Sequence, residues 1–415
     1  MNTRQRPVKH SRVLFPLGWA AGLSLLGDLT LYAVLPTYRQ TVGLSLGAVG
    51  VMLGVNRLVR IPGNSVAGFI LDRVGRRKIF ILGMSLGVLS TLGYGLLHGF
   101  VPFLLARIVW GVGWTLINVG GMTIVLDVST PANRGRLTGF YNAWVLAGFA
   151  LGPLLGGFLV DALGFRATML SYAVATGIGL LIALVGLPET TPQLGASVRQ
   201  GRNAVSSPLR RLADLWQNSW GLLRSTSGLA PVLLLYLLTQ FTNLGVILST
   251  VNLLLEQCCS PTINVGAFAL GVASASGILL AMHSLLAGVV GPVAGRLSDV
   301  RWGRRAVIAG GLVVGAAAFG LLAIAGSLWV SVLGLALSAV SSGTVMSVLT
   351  AHIGDLTPPG KQGAMMGIYA TAGDVGAAAG PFLAFALLPV IDLQGVYLLC
   401  ALACLGGLLL LRCTE

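Results

Sequence analysis

The feature that most constrains this chain is a series of apolar runs, each long enough to cross a membrane. A helix needs about 20 apolar residues to span the hydrocarbon core of a bilayer. Only 9% of the 415 residues are charged and 55% are hydrophobic, which excludes an ordinary water-soluble enzyme. The sequence predicts an all-α polytopic membrane protein with twelve transmembrane helices. They span residues 13–36, 46–70, 79–98, 102–126, 138–160, 166–187, 229–255, 266–294, 306–326, 328–352, 364–388 and 393–411.

The positions of Lys and Arg predict how these helices are oriented. With the N-terminus inside, 21 of the 26 basic residues fall on the inner side, two fall outside and three lie within helices. Inner loops of membrane proteins carry such an excess of basic residues. We therefore expect both termini to be cytoplasmic in a multi-pass protein of the cell (inner or plasma) membrane. This asymmetry also accounts for the net charge of +14, so no nucleic-acid partner is expected.

One long polar stretch divides the chain into two sets of six predicted helices. Residues 188–228 are interpreted as a cytoplasmic linker, and Ser207-Pro208 within it resembles the start of an interfacial helix. A disordered linker is the alternative. The other predicted parts are a cytoplasmic N-terminal tail at 1–12, a six-helix bundle at 13–187, a second six-helix bundle at 229–412 and a cytoplasmic tail at 413–415.

An internal repeat relates the two sets of helices. Eight residues of the first set recur 228 positions later, and the same offset carries Gly75-Arg76-Arg77 onto Gly303-Arg304-Arg305. The eight are Asp127, Pro131, Gly135, Gly139, Tyr141, Gly148, Gly152 and Pro153. An even number of helices per repeat gives the copies the same orientation. The repeat therefore predicts two pseudo-symmetric bundles in parallel orientation.

A short loop rich in glycine and arginine separates the second and third predicted helices. An acid in such a loop can cap a helix N-terminus, and its arginines can pair with acids at helix C-termini. The loop resembles the signature loop of the major facilitator superfamily, where it acts as a conformational latch. The candidates are Gly68, Asp72, Arg73, Gly75, Arg76, Arg77 and Asp127, with Asp299, Arg304, Arg305 and Asp355 in the second copy.

The resemblance implies specific contacts for this latch. Arg73 or Arg76 should pair with Asp127, and Asp72 should cap the eleventh helix near Gly363. The second copy contains one extra residue, so whether it still works as a latch stays open. The alternative for both loops is a positive-inside anchor without a latch.

The fifth predicted helix carries a glycine motif. Its residues are Gly148, Gly152, Pro153, Gly156 and Gly157. The motif resembles one that marks antiporters, mostly drug exporters, within the superfamily. Small residues one turn apart allow close helix packing, and packing alone is the alternative. The first helix, with Asp28 and Tyr32, and the arginine motif at Arg107 are similar to those of twelve-span drug/proton antiporters.

Five charged residues lie deep within predicted helices. Each costs about 2.5–3.5 kcal/mol on insertion scales, so each should face a cavity or a partner. Asp28 and Arg107 fall at the same depth at about 1.5 Å per residue. We interpret them as the proton-coupling pair, and a static structural pair is the alternative. Tyr32 should hydrogen-bond the ionised carboxylate. Arg57 or Arg60 should meet Asp374 across the two bundles, where the alternative is a purely structural ion pair.

Further polar residues complete the predicted central cavity. Asn56 shares one face of the second helix with Arg60, and Asn118 extends the stripe that begins at Arg107. His283 lies mid-helix and is either a buried structural histidine or a proton site. Together with Tyr32, Arg57 and Asp374, these residues are the substrate candidates.

The function predicted from the sequence is alternating-access transport, with proton-coupled export of a small amphipathic or drug-like compound. Uptake of an anionic metabolite, or lipid flipping, is the alternative. No phosphate-binding glycine loop, catalytic triad or zinc motif is found, so neither an enzyme nor a cofactor is expected. The proton gradient would supply the energy to a monomer in the bilayer. A channel is disfavoured by the latch loops and the paired halves.

Overall fold

The computed structural model describes residues 10–130, 133–190, 228–258, 262–265, 268–357 and 362–412, and these are almost entirely helical. The predicted linker helix at Ser207 lies outside the described residues. The first half, residues 10–190, contains six helices. They are α1 (His10–Tyr38), α2 (Leu46–Val74), α3 (Arg76–Leu96), α4 (Phe100–Asp127), α5 (Arg134–Leu163) and α6 (Phe165–Gly186), with a 3₁₀ turn at Arg39–Val42 after α1.

The second half, residues 228–412, is less regular. Its helices are α7 (Leu229–Gln240), α8 (Leu248–Cys258), α9 (Val272–Leu297), α10 (Gly303–Ala323), α11 (Leu328–Leu356) and α12 (Gln362–Arg412). A π-helical segment at Phe241–Ile247 joins α7 to α8, and a second one at Ser298–Trp302 joins α9 to α10. The extra residue of the second loop copy is therefore absorbed by a wider helical turn rather than by a longer loop.

One predicted helix boundary was wrong in the second half, and another was right. The eighth helix was expected from residue 266, but the chain first forms an antiparallel hairpin of β1 (Thr262–Val265) and β2 (Phe268–Gly271). The helix begins only at Val272 because residues 268–271 pair with β1. The predicted boundary between the last two helices, 364–388 and 393–411, is confirmed, because α12 is interrupted at Asp392, whose φ of 55° and ψ of 177° are not helical.

Glycine sets the sharp turn between α2 and α3. Gly75 has φ 107°, and its repeat partner Gly303 has φ 73°. Side chains with a Cβ atom rarely adopt these angles, so the repeated glycine is needed for the backbone conformation. Each glycine is followed by two arginines, and we call the end of the molecule that carries Arg76 and Arg304 the basic end. We call the other end of the molecule, where the chain turns at Gly43 and Gly164, the opposite end.

Within the described residues, nine helical segments are long and apolar enough to cross a membrane. Two of them, Val272–Ala323 and Met365–Arg412, contain 52 and 48 residues, which is enough for two crossings each. Helix α2 is not among the nine and carries Arg57 and Arg60 within its length. These charges lie where α2 packs against α12 of the other half, which places them at the boundary between the halves.

Candidate functional site

A buried ion pair lies inside the first half of the chain. Asp28 of α1 and Arg107 of α4 are 5% and 0% exposed, and the Arg107 Nη1 atom contacts the Asp28 carboxylate. Arg107 also donates from Nε to the carbonyl of Met52 at 2.6 Å. Its guanidinium carbon lies 5.6 Å and 5.7 Å from the ring centroids of Tyr32 and Tyr94. The predicted pairing of Asp28 with Arg107 is confirmed, and its low-dielectric surroundings strengthen the attraction.

The partner of Asp28 on helix α2 differs from the prediction. Tyr32 was expected to hydrogen-bond the ionised carboxylate, but its hydroxyl donates to the carbonyl of Leu53 at 2.9 Å. Asn56 takes that position instead, with its Nδ2 3.4 Å from Asp28 Oδ1. The prediction was wrong because Tyr32 lies one turn from Asp28 on α1 and reaches the neighbouring backbone of α2 first.

A second buried ion pair joins the two halves. Arg60 Nη2 is 3.2 Å from Asp374 Oδ1, and Arg57 Nη1 is 3.9 Å from the same oxygen. The Asn64 amide Nδ2 lies 3.5 Å from the other carboxylate oxygen. The side chains of Arg57, Arg60 and Asp374 are 9%, 14% and 7% exposed. The predicted meeting of α2 arginines with Asp374 is therefore confirmed.

The two ion pairs are connected through a few polar groups. The Tyr32 hydroxyl lies 3.4 Å from Asn56 Oδ1, and Asn56 contacts Asp28. Arg57 lies close to the Tyr32 hydroxyl and within electrostatic range of Asp28. Arg57 is thus attracted by both carboxylates.

Two of the predicted cavity residues lie apart from these contacts. Asn118 is half-buried in α4. His283 is half-buried in α9, and its Nε2 has no hydrogen-bond partner among the described residues.

The first latch loop forms one of its predicted contacts. Arg76 Nε is 3.2 Å from Asp127 Oδ2, and Arg76 Nη1 donates to the carbonyl of Leu71 at 2.9 Å. Glu189, which lies within the predicted linker, accepts from the backbone nitrogen of Arg76 at 3.1 Å. It therefore caps α3. The side chains of Asp72 and Arg73 lie outside what is described, so the predicted cap of α12 by Asp72 stays a prediction.

The second latch loop keeps the same pairing in spite of its extra residue. Arg304 Nε is 3.1 Å from Asp355 Oδ2 and also contacts Asp299. Arg305 donates to the carbonyl of Leu411 at 3.2 Å, as Arg77 does to the carbonyl of Leu184 at 2.6 Å. The π-helical turn thus preserves the repeated arginine contacts.

The two repeat copies allow a matched test of this pairing. The Arg76–Asp127 side chains are 8% and 15% exposed, whereas those of Arg304 and Asp355 are 24% and 57% exposed. Removing one partner of a buried pair costs about 3–5 kcal/mol, but exposed pairs contribute about 0.2–1 kcal/mol. We expect the Asp127→Asn variant to have a clearly lower melting temperature in detergent than the Asp355→Asn variant. Equal losses would contradict this ranking.

The glycines of the fifth-helix motif contact both halves of the protein. A Cβ atom on Gly148 would lie 3.0 Å from Leu25, and one on Gly152 would lie 3.0 Å from Leu29, so both allow α5 to approach α1. Gly156 faces Thr30 of α1, which donates to the carbonyl of Gly152 at 2.6 Å. Gly157 faces the other half, where a Cβ atom would lie 2.9 Å from the Cα of Ser274. The motif therefore sets the packing within and between the halves.

Contacts at the opposite end join the two halves, and the sequence analysis missed them. Asp161, at the end of α5, accepts from the backbone nitrogen of Ser274 at 2.8 Å and from its hydroxyl at 2.5 Å. Asn252 of α8 donates to the carbonyl of Ala33 at 2.7 Å, and Thr37 of α1 contacts both Asn252 and Glu256. The described halves are thus held together at this end.

Asp161→Asn should loosen this closure. The amide keeps one acceptor oxygen but loses the negative charge that favours the N-terminus of α9, so the open state should gain several-fold in population. The measurement is labelling of Ala33→Cys by an impermeant thiol reagent in a background without native cysteines. Asp392→Asn, at the same end, is the control and should not change the labelling rate. An unchanged rate in Asp161→Asn would remove this carboxylate from the closure.

Sequence comparison identifies the family. A profile described as Major Facilitator Superfamily matches residues 17–278 and 246–414. The chain belongs to this superfamily. Members of this superfamily are multi-pass membrane transporters of small molecules and not enzymes, which is the class that the sequence predicts for this chain.

Named relatives of this superfamily member have different substrates. A probable L-galactonate transporter of Escherichia coli (strain K12) is 30% identical over 247 residues, which cover 57% of this chain and 54% of the relative. The quinolone resistance protein NorA of Staphylococcus aureus (strain MRSA252) is 26% identical over 151 residues, covering 36% of this chain and 39% of NorA. The chain thus spans about half of one relative and less of the other.

Solved structures support the same fold over nearly the whole length. The human organic anion transporter MFSD10 (TETRAN) has a TM-score of 0.66 at 20% identity, covering 98% of this chain and all of that one. A peptide transporter POT in complex with sulfate has a TM-score of 0.77 at 14% identity, covering 99% and 95%. At these identities the likeness establishes the fold alone.

Proposed function

We propose that this protein is a proton-coupled antiporter that exports a small amphipathic compound. The observation that carries the proposal is the buried contact between Asp28 and Arg107. A carboxylate held in a low-dielectric site gains or loses its proton according to how closely a guanidinium approaches it. Substrate binding or a change of conformation that moves Arg107 would change the proton affinity of Asp28, and coupling needs this difference.

The proposed topology has twelve membrane crossings. Seven of the nine apolar segments would cross once and the two longest would cross twice. Helix α2 would add the twelfth crossing. The halves would form two six-helix bundles. The basic end and both termini would face the cytoplasm, and the protein would be a monomer in the plasma membrane. The contacts at Asp161 and Asn252 would then close the outer side.

A reconstitution experiment tests this function. Purified protein in liposomes is given an imposed pH gradient, and a panel of cationic, neutral and anionic compounds is screened for uptake and for proton movement. Antiport predicts that at least one compound moves opposite to the protons and that collapsing the gradient stops its accumulation. Compound flux that ignores the gradient would contradict the proposal, and flux that does not saturate would indicate a channel.

A second candidate is a permease or flippase for an anionic metabolite or lipid. The observation in its favour is that Arg57 and Arg60 share the single carboxylate of Asp374. Anions that accumulate together with protons in the same liposomes would favour this candidate over export.

A further inference from the structure

The central ion cluster carries more positive than negative charge. Arg57 and Arg60 both approach the same oxygen of Asp374, at 3.9 Å and 3.2 Å. Arg60 Nε has no hydrogen-bond partner among the described residues. Two guanidinium groups against one carboxylate leave an excess of one positive charge at a site where uncompensated charge is costly.

The surrounding elements do not supply the second negative charge. Asn64 adds a neutral amide from α2. From α7, Tyr236 lies within electrostatic range of Asp374, and its ring stacks on Tyr369 with centroids 3.7 Å apart. From α1, Asp28 is within range of both arginines but is already in contact with Arg107. Among the described neighbours, the cluster therefore stays one negative charge short.

Of the two arginines, Arg57 has the looser contact with Asp374. Arg57 Nη1 lies 3.9 Å from Asp374 Oδ1, whereas Arg60 Nη2 lies 3.2 Å from the same oxygen. It also borders Tyr32, which belongs to the polar connection leading to Asp28. A guanidinium presents a fork of N–H donors that matches a carboxylate with two parallel hydrogen bonds.

We propose that the missing charge is supplied by the substrate, and that Arg57 binds the carboxylate of a small organic anion while Arg60 stays paired with Asp374. This inference rests on the proposed transport through the central site and names the charge of the transported compound. One monovalent anion balances the cluster. A neutral or cationic compound of the same shape does not.

The test compares carboxylates with neutral compounds of similar size. Purified protein is titrated with sodium benzoate against benzyl alcohol, and with sodium gluconate against sorbitol, at constant ionic strength. Thermal unfolding gives the stabilisation and calorimetry gives the Kd. We expect at least one carboxylate, and neither neutral compound, to stabilise the wild-type protein, because a ligand that binds only the folded state raises its melting temperature.

Two variants change the charge of the cluster in opposite directions. Arg57→Gln should weaken carboxylate binding by about 10- to 100-fold, the typical loss of a hydrogen bond to a charged group. Asp374→Asn raises the excess charge and should tighten binding by about tenfold. Arg39→Gln removes an arginine at the opposite end, whose Nη1 donates to the carbonyl of Pro36, and should leave the Kd unchanged.

The inference is overturned if the neutral compounds bind as well as the carboxylates, if neither carboxylate stabilises the wild type, or if Arg57→Gln retains the wild-type Kd. Should Asp374→Asn fail to fold, Arg57→Lys gives a second test, since it keeps the charge, loses the fork and should bind with intermediate affinity. Proton movement in Asp28→Asn is measured separately. Proton coupling without carboxylate binding would overturn this inference alone, and carboxylate binding without proton coupling would overturn only the proposed antiport.

Discussion

Asp28→Asn is expected to reduce proton-driven accumulation to the level of empty liposomes. Asparagine resembles aspartate in shape and can still accept a hydrogen bond from Arg107, but it has no proton to exchange. Substrate binding and exchange of labelled for unlabelled substrate should persist, since neither requires a change of protonation. The decisive measurement is the number of protons that substrate releases from the detergent-solubilised protein.

A loss of folding must be separated from a loss of coupling in this variant. Asp28→Asn leaves the guanidinium of Arg107 buried without its carboxylate, and breaking a buried pair costs about 3–5 kcal/mol. The double variant Asp28→Asn, Arg107→Gln removes both charges and should recover part of the melting temperature. It should still release no protons, because it too lacks the carboxylate.

A second carboxylate variant serves as the functional control. Asp392→Asn also removes one negative charge, but Asp392 lies at the opposite end, at the interruption of α12 and away from the central ion pairs. Its substrate-induced proton release should match the wild type. Release that is undiminished in Asp28→Asn would remove Asp28 from the mechanism and leave Asp374 or His283 as the proton carrier.

The ion pairs could be predicted from the sequence because charges in a membrane are rare and costly. Five such residues within apolar runs had few possible partners, and depth along each helix brought Asp28 to the level of Arg107. The same argument brought Asp374 to the level of the α2 arginines. Helical rise gave the depth of each charge, and the resemblance to the superfamily, which implies that the second and eleventh helices line the boundary between the halves, supplied the pairing with Asp374.

The contacts between polar residues at helix ends could not be predicted in the same way. Asp161 and Ser274 are 113 positions apart, and Glu189 caps α3 from a stretch that looked like a solvated linker. Polar residues are ordinary at helix ends, so nothing in their pattern distinguishes a residue that bridges two halves from one in water. Only the packing of α5 against α9 decides which partners meet.

The irregular segments were missed for a related reason. The π-helical turns at Phe241–Ile247 and Ser298–Trp302 keep the apolar pattern of an α-helix over most of their length, because one extra residue shifts that pattern only locally. At Ser298–Trp302 the repeat did show the extra residue. It could not show that the residue would widen a helical turn and leave the contact between Arg304 and Asp355 intact.

Gly157→Leu is expected to stop transport by preventing closure of the opposite end. A Cβ atom on Gly157 would meet the carbonyl group of Ala273 and lie 2.9 Å from the Cα of Ser274. Reciprocally, one on Gly277 would lie 3.2 Å from the Cα of Leu154. These neighbours are backbone atoms, which cannot rotate away as a side chain can, so only separation of α5 from α9 makes room.

The fold of the first half should survive this substitution. The glycines that pack α5 against α1, Gly148 and Gly152, lie on a different face and are unchanged. The matched control is Gly139→Leu on the same helix, where a Cβ atom meets nothing within 4 Å. We expect Gly139→Leu to transport normally, and Gly157→Leu to lose transport while its Ala33→Cys reporter is labelled at least about tenfold faster. Since Ala33 is fully buried in the closed arrangement, slow labelling together with normal transport would show that α5 and α9 can shift without opening this end.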